Sequence, residues 1–231
     1  MSVKSLLNEL SNLFFPECCP VCSIRLLPSE QGVCLQCLHA LPKTNNFMEP
    51  DNLAETLLAG RFPFERAATF CVYSRGGVLQ PLIHQLKYNN KKEIGVLLGK
   101  LFGKDLIGSE FILPIDLIVP VPLHPQKQKE RGFNQAETIA YGLSEVTSIP
   151  VSSGNLVRTI FNPTQTQRTK TQRWENVKGI FDLLHPSLYA GKHILLIDDI
   201  ITTGSTLEAC AHALLKSPDI KISVATLGEV F

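Results

Sequence analysis

A mostly parallel α/β sheet flanked by helices, preceded by a small Cys-rich module, is the fold class that three observations predict. From residue 67 onward, short and continuously apolar runs alternate with apolar stripes at helical spacing. That is the pattern of a parallel sheet buried on both faces. One of those runs, Leu195-Leu196-Ile197, leads into two carboxylates and a hydroxyl-rich turn. Five of the seven cysteines lie between residues 18 and 37, so they form a local cluster and not a scaffold spread along the chain.

Composition narrows the function classes. The 231 residues hold 22 Lys+Arg against 21 Asp+Glu, a formal net charge of +1. That balance excludes a polycation, so any nucleic-acid contact must come from a local patch. No run approaches the ~20 apolar residues that span a bilayer. Leu6, Leu7, Leu10, Leu13 and Phe14 suit one face of a short helix, and Asn8, Glu9, Ser11 and Asn12 interrupt them too often for a secretory core. The expected location is the cytoplasm.

The elements follow in order. Residues 1–42 hold the short helix and the Cys-rich module. Residues 43–66 are a connector, with Pro50, Gly60 and Pro63 around an apolar stretch from Leu53 to Leu58. The main domain, 67–231, opens with a strand from Ala67 to Tyr73. Val78, Leu79, Leu82, Ile83 and Leu86 then recur at helical spacing, with Pro81 tolerable only near the helix start. Ile94, Leu97, Leu98, Leu101 and Phe102 make a second helical face, and Ile115 to Val121 reads as a strand. Ala136, Ile139, Ala140 and Leu143 form another helix, and Leu156-Val157 a short strand. The polar stretch 159–179 reads as a functional loop or lid. Last come a strand from His193 to Ile197, a helix from about Ser205 to Leu215, and a strand from Ile220 to Leu227. Ligands of such sheets bind beyond the carboxyl ends of the strands. The residues after Val119, Val157 and Ile197 are therefore the ones to search.

The strongest signal is Leu195-Leu196-Ile197-Asp198-Asp199-Ile200-Ile201-Thr202-Thr203-Gly204-Ser205-Thr206. A helix start offers unpaired N–H groups and a positive dipole end, which suit a phosphate. Thr202, Thr203, Ser205 and Thr206 add hydroxyl donors, and Gly204 lets the backbone approach the anion. Asp198 and Asp199 can only accept, so they suit a vicinal diol such as the hydroxyls of a ribose one sugar-length from the phosphate. The plain alternative is a strand with an Asp–Asp turn and a Thr-rich helix cap. A Walker-type loop is excluded, because G-x-x-x-x-G-K is missing.

This run resembles the phosphoribosyl-diphosphate (PRPP) signature of type I phosphoribosyltransferases. The wider chain is similar to the ComF family, named for DNA uptake in competent bacteria. The likeness rests on Tyr73 with Leu82-Ile83-His84-Gln85-Leu86-Lys87-Tyr88, on Val119-Pro120-Val121-Pro122-Leu123, on Arg131-Gly132-Phe133-Asn134-Gln135, and on Arg173-Trp174-Glu175-Asn176-Val177-Lys178-Gly179. It implies a type I phosphoribosyltransferase-like sheet that binds PRPP with Mg²⁺ and displaces diphosphate from C1 of ribose, the acceptor being unknown. Asp198 and Asp199 would hold the diol and offset the charge on the sugar. A loop from Val121 and Pro122 to Arg131, with Lys127, Lys129 and Arg131, would hold the diphosphate, unless those cations are only a solvated surface run. A hood from Arg158 to Lys178, with Arg158 and Arg168, would close over the ribose. Trp174 would cap the site or anchor packing, and His124 would donate to the diphosphate or be an ordinary loop residue. The chain begins Met1-Ser2-Val3, so no amino-terminal Cys nucleophile and no glutaminase domain are expected.

Cys19-Pro20-Val21-Cys22 and Cys34-Leu35-Gln36-Cys37 are two C-x-x-C knuckles. Their four thiolates suit a closed, tetrahedral, structural Zn²⁺ site, a zinc ribbon. A redox pair or free thiols are the alternatives, and Cys18 could replace Cys19. Cys71 and Cys210 sit in apolar runs and suit core packing.

The family likeness leaves two functional readings. One is a phosphoribosyl-transferring enzyme associated with DNA uptake. The other is a non-catalytic, PRPP-sensing component that binds single-stranded DNA and works with the DNA-uptake machinery. For the second, the candidate cations are Lys87, Lys91, Lys92, Arg168, Lys170 and Arg173.

Overall fold

The computed structural model describes residues 16–159 and 180–230. The stripe Leu6 to Phe14 and the hood residues Arg168, Lys170, Arg173 and Trp174 lie outside the described residues. In order, the described elements are α1 (Leu35–His39), α2 (Leu53–Leu58), β1 (Ala67–Tyr73), α3 (Leu79–Tyr88), α4 (Lys92–Leu106), β2 (Leu117–Pro120), α5 (Pro125–Arg131), α6 (Gln135–Thr147), β3 (Leu156–Arg158), β4 (Phe181–Leu183), β5 (His193–Ile201), α7 (Ser205–Leu214) and β6 (Lys221–Val230).

Four strands form one parallel sheet in the order β1-β6-β5-β2. Successive side chains of a strand face opposite ways, so an unbroken apolar strand feeds two cores. Leu195 and Ile197 of β5 join the layer of Leu82, Leu98, Phe102 and Ile139 from α3, α4 and α6. Ile194 and Leu196 join the opposite layer, with Leu207, Cys210 and Leu214 of α7. Each such side chain contributes roughly 1.5–3 kcal/mol by leaving water. Cys71 and Cys210 are fully buried in these layers. Helices α4 and α6 touch backbone to backbone: a Cβ at Gly99 would collide with the Ile139 carbonyl, and one at Gly142 with that of Val96.

The connector is ordered along the sheet edge. Strand β1 is an edge strand, and residues 42–46 lie against it: Val72 N–H donates to Pro42 O (2.9 Å) and Thr44 N–H to Phe70 O (3.0 Å). Asn46 and Thr69 exchange two hydrogen bonds of 2.9 Å. Asn52 caps α2 by accepting from Glu55 N–H at 3.1 Å, and its own amide donates to Ala67 O at 2.9 Å. The stretch Leu53 to Leu58 therefore forms a docked helix that covers an otherwise open edge.

Three sequence expectations need correction. Leu156-Val157 is a strand outside the parallel sheet; it pairs antiparallel with β4, an element its three residues were too few to announce. Residues 125–131, expected within a loop, form helix α5: Pro125 sits at the first turn, His124 Nδ1 accepts from Gln126 N–H at 3.1 Å, and Gly132 closes the end with φ +79°. Strand β5 does not stop at Ile197 but runs to Ile201, so Asp198 and Asp199 lie in the strand and not in a turn after it.

The Cys-rich segment folds into a knuckle and a short helix. Cys19 and Ser23 are tied by Ser23 N–H donating to Cys19 O, and Cys19 N–H to Ile24 O, each 2.8 Å. Cys34 caps α1, its sulfur accepting from Cys37 N–H at 3.4 Å. Cys19, Val33, Cys34, Cys37 and Leu41 join the same apolar layer as α3 and α4.

Candidate functional site

Unequal strand lengths open the site. Strand β2 ends at Pro120, paired with Ile197, and its last link is Val121 N–H donating to Ile197 O at 2.9 Å. Strand β5 continues for four more residues, held on one side only by β6 through Asp198↔Thr226, Ile200↔Gly228 and Ile201↔Glu229. Asp198 and Asp199 therefore stand on an open edge at the carboxyl end of the sheet.

The turn after β5 passes Thr202 and Thr203, both exposed, and enters α7 at Gly204. Gly204 has φ +73°, a left-handed conformation that L side chains rarely adopt, and a Cβ there would lie 2.9 Å from Leu58 Cδ2. Glycine is thus demanded twice, by backbone and by space. The hydroxyls of Thr203 and Ser205 lie 3.1 Å apart and, with Thr206, rim a small cup that also contains Asp198. Free N–H groups at a helix start beside exposed hydroxyls make an anion cradle. Leu58 and Arg61 back this loop, and Arg61 is fixed to Glu208 of α7 at 2.9 Å. The connector therefore contributes to the site, which its composition did not reveal.

Two cations meet the carboxylates. Lys87 at the end of α3 lies 2.8 Å from Asp199 Oδ2, with both side chains largely buried. Arg158, at the end of β3, stacks its guanidinium 5.4 Å from the Phe181 ring centroid, and its Nε is buried with no partner among the described residues. Asp198 is half-buried by exposed area but closely surrounded by protein. Burial, and next the charge of Asp199, push its carboxyl up to about 7, while the Asp199 N–H, Lys87 and Arg158 hold it down. Sequence reasoning placed Lys87 among DNA-contacting cations; the structure joins it to Asp199. Lys91 lies 3.5 Å from both Glu17 and Glu93, and Lys92 sits 5.3 Å from the Phe133 ring centroid.

Lys127, Lys129 and Arg131 do converge. They line a cavity of about 520 Å³ together with Lys87, Tyr88, Asn90, Glu130 and Gly132. Arg131 donates to Gln135 Oε1 at 3.0 Å and lies 5.7 Å from the Tyr88 ring centroid. Helix α5 buries none of its side chains, so its cations face this cavity and solvent. Val121 is buried and Pro122 lines a neighbouring cleft with Leu156, Val157 and Arg158.

A second cluster lies in the amino-terminal module. The sulfurs of Cys19, Cys22, Cys34 and Cys37 all lie within 4.8 Å of one another. Cys18 stands outside the cluster, exposed, with its thiol donating to Pro16 O at 3.5 Å. Burial raises Cys19, but the N–H groups of Cys34, Cys22 and Val21 outweigh it and hold the thiol down to about 7. Burial and the neighbouring sulfurs keep Cys37 high. Four sulfurs this close are the donor set of a tetrahedral thiophilic ion, which would bind all four as thiolates.

Similarity to known proteins is consistent with this geometry. A family model described as "Phosphoribosyl transferase domain" matches residues 130–228. The chain is 31% identical over 209 residues to "DNA utilization protein YhgH" of Escherichia coli, an alignment covering 89% of this chain and 87% of that one. It is 33% identical over 144 residues to "Competence protein F" of Haemophilus influenzae, covering 60% of this chain and 62% of that protein. It is 32% identical over 149 residues to "Competence protein ComFC" of Bacillus subtilis, covering 63% of this chain and 57% of that protein. Among the described residues no helix is long and apolar enough to cross a membrane.

Proposed function

Because the chain belongs to the ComF family and carries a phosphoribosyltransferase domain, we propose that it binds PRPP with Mg²⁺ at the end of β5 and transfers the ribose phosphate with release of diphosphate. The observation that carries this reading is the overrun of β5. It puts Asp198 in the same small cup as the loop that leads into the Gly204-capped helix start.

The residues divide by chemistry. Thr202, Thr203, Gly204, Ser205 and Thr206 cradle the 5-phosphate through N–H and hydroxyl donors. Asp198 and Asp199 accept from the ribose hydroxyls, and their negative charge favours the cationic sugar that forms as the bond to diphosphate breaks. The electron pair of that bond leaves with the diphosphate. Lys127, Lys129 and Arg131 face the leaving group, with Val121 and Pro122 shaping the approach to it. Arg158 approaches from β3. When bound, Mg²⁺ offsets charge on the diphosphate while held mainly by ligand oxygens and waters.

The Cys-rich module, of which residues 16–42 are described, is in this reading a Zn²⁺-stabilised unit, and its buried side chains pack in the same layer as α3 and α4 of the main domain. The names of the relatives, DNA utilization protein and competence protein, support a role in handling DNA; the reading adds single-stranded DNA and DNA-uptake components as partners and a cytoplasmic location. Incubation with PRPP and Mg²⁺, with and without single-stranded DNA, tests the reading through diphosphate release. Release above the uncatalysed rate supports transfer or PRPP cleavage. Tight binding without release replaces the enzyme with a PRPP sensor, and no binding removes the reading.

A further inference from the structure

Lys87 stands at a junction. Its ammonium touches Asp199 at 2.8 Å, and its side chain also lines the cavity of Lys127, Lys129 and Arg131. It thus belongs to both the carboxylate edge of β5 and the cationic cavity. Its helix is well anchored: Leu79, Leu82, Ile83 and Leu86 are buried, so α3 presents Lys87 from a rigid face.

We propose that Lys87 is a positioning residue of the ribose-phosphate site: it orients Asp199 through the ion pair and presents its remaining N–H donors to the ligand's diphosphate, joining the sugar and diphosphate halves of the site. The proposal rests on the PRPP reading above. An ammonium has three donors and no acceptor. One is spent on Asp199, which leaves two for phosphate oxygens. An unpaired Asp199 on an open strand edge would repel an arriving polyanion; paired with Lys87 it presents a neutralised unit whose oxygens keep lone pairs for a diol. A point charge on a flexible stem suits this double duty better than the fixed fork of arginine.

The alternative role is mechanical, with Lys87 only tying α3 to β5. The two roles differ in what they move. A tether changes stability alone. A positioning residue changes affinity most for the ligand that carries diphosphate, and it changes the pH at which the Asp198 carboxyl ionises. The groups facing Asp198 are Asp199 on its own strand, Lys87 from α3, Arg158 from β3 and Cys210 from α7. Removing Lys87 takes away a positive neighbour, so the Asp198 carboxyl ionises at higher pH.

The experiment is calorimetric titration of wild type, Lys87→Gln and Lys87→Arg with PRPP plus Mg²⁺, and separately with ribose 5-phosphate, between pH 5.5 and 9. Thermal melts identify any variant that has lost its fold, and Lys87→Arg then carries the test. The expected result is that Lys87→Gln weakens PRPP about ten- to a hundred-fold and ribose 5-phosphate by only a few-fold. The midpoint of its pH profile moves above that of wild type, and Lys87→Arg recovers part of the loss. A Lys87→Gln that binds PRPP within two-fold of wild type with the same midpoint overturns the proposal and leaves the PRPP reading intact. Wild type that binds neither ligand overturns the PRPP reading itself and the proposal with it.

Discussion

The cysteine cluster and the β5 loop are both short motifs, but they take their shapes from different sources. The cluster is drawn from residues 19–37 and has no strand behind it; Cys19, Val33, Cys34 and Cys37 border the layer of α3 and α4, and its sulfurs are brought within 4.8 Å by two knuckles and a five-residue helix. The β5 loop has a nine-residue strand behind it and a ten-residue helix ahead of it, with apolar layers on both faces. A site of the first kind depends on its ion, while one of the second kind is preformed by the sheet. The comparison predicts that damage to one leaves the other standing.

The largest expected effect falls on the cluster. Structural zinc in small modules is worth ~10–16 kcal/mol of folding free energy. Cys22→Ser, or chelation, should therefore unfold the module locally, lower bound zinc from one ion per chain and leave PRPP affinity within a few-fold. Elemental analysis and calorimetry on the same sample check this. Loss of PRPP binding along with zinc would show that the two regions are one cooperative unit and break the comparison.

On the other side, Gly204→Val should reduce PRPP affinity more than a hundred-fold. The φ of +73° and the contact with Leu58 leave no room for a branched side chain. Zinc content should stay at one ion per chain. Equal PRPP affinity would move the phosphate away from this loop.

A smaller effect concerns pH. The Asp198 carboxyl, at about 7 in the fold, lies above its ordinary 3.8. Folding therefore disfavours its charged form. The penalty appears as pH rises above about 4, grows to about 7 and is constant beyond. Asp198→Asn cannot ionise, so it should nearly match wild type at pH 4 and exceed it at pH 8, by on the order of 4 kcal/mol at about 1.4 kcal/mol per unit. Urea unfolding of the two proteins at pH 4, 6 and 8 measures the difference, and a gap that shrinks toward pH 8 would contradict the burial of Asp198. The smallest effect is none: Cys18→Ser should leave zinc stoichiometry unchanged, since Cys18 stands outside the cluster.

The two regions also differ in how far the sequence disclosed them. The four sulfurs and the run from Asp198 to Thr206 were legible because each is contiguous and its residue types have few other uses. The parallel strands were legible because apolar runs alternating with helical stripes have one economical packing. Lys87 as a partner of Asp199 was not, because the pair spans 112 residues and a lysine at the end of a helix is ordinarily solvated. The separation of β3 from the main sheet was hidden too, since its partner β4 is a three-residue strand. Helix α5 had local signals, Pro125 at its start and Gly132 at its end, which its charge run overshadowed.

The claim at the centre of this account is that the Asp198–Asp199 edge of β5 holds a ribose whose phosphate sits at Gly204. Calorimetric titration of wild type and Asp198→Asn with PRPP and Mg²⁺ at pH 8 tests it most directly. Hydrogen bonds to a charged group contribute roughly 1.5–3 kcal/mol, so Asp198→Asn should bind about ten- to a hundred-fold more weakly. Equal affinity in the two proteins would place the sugar elsewhere and contradict the account.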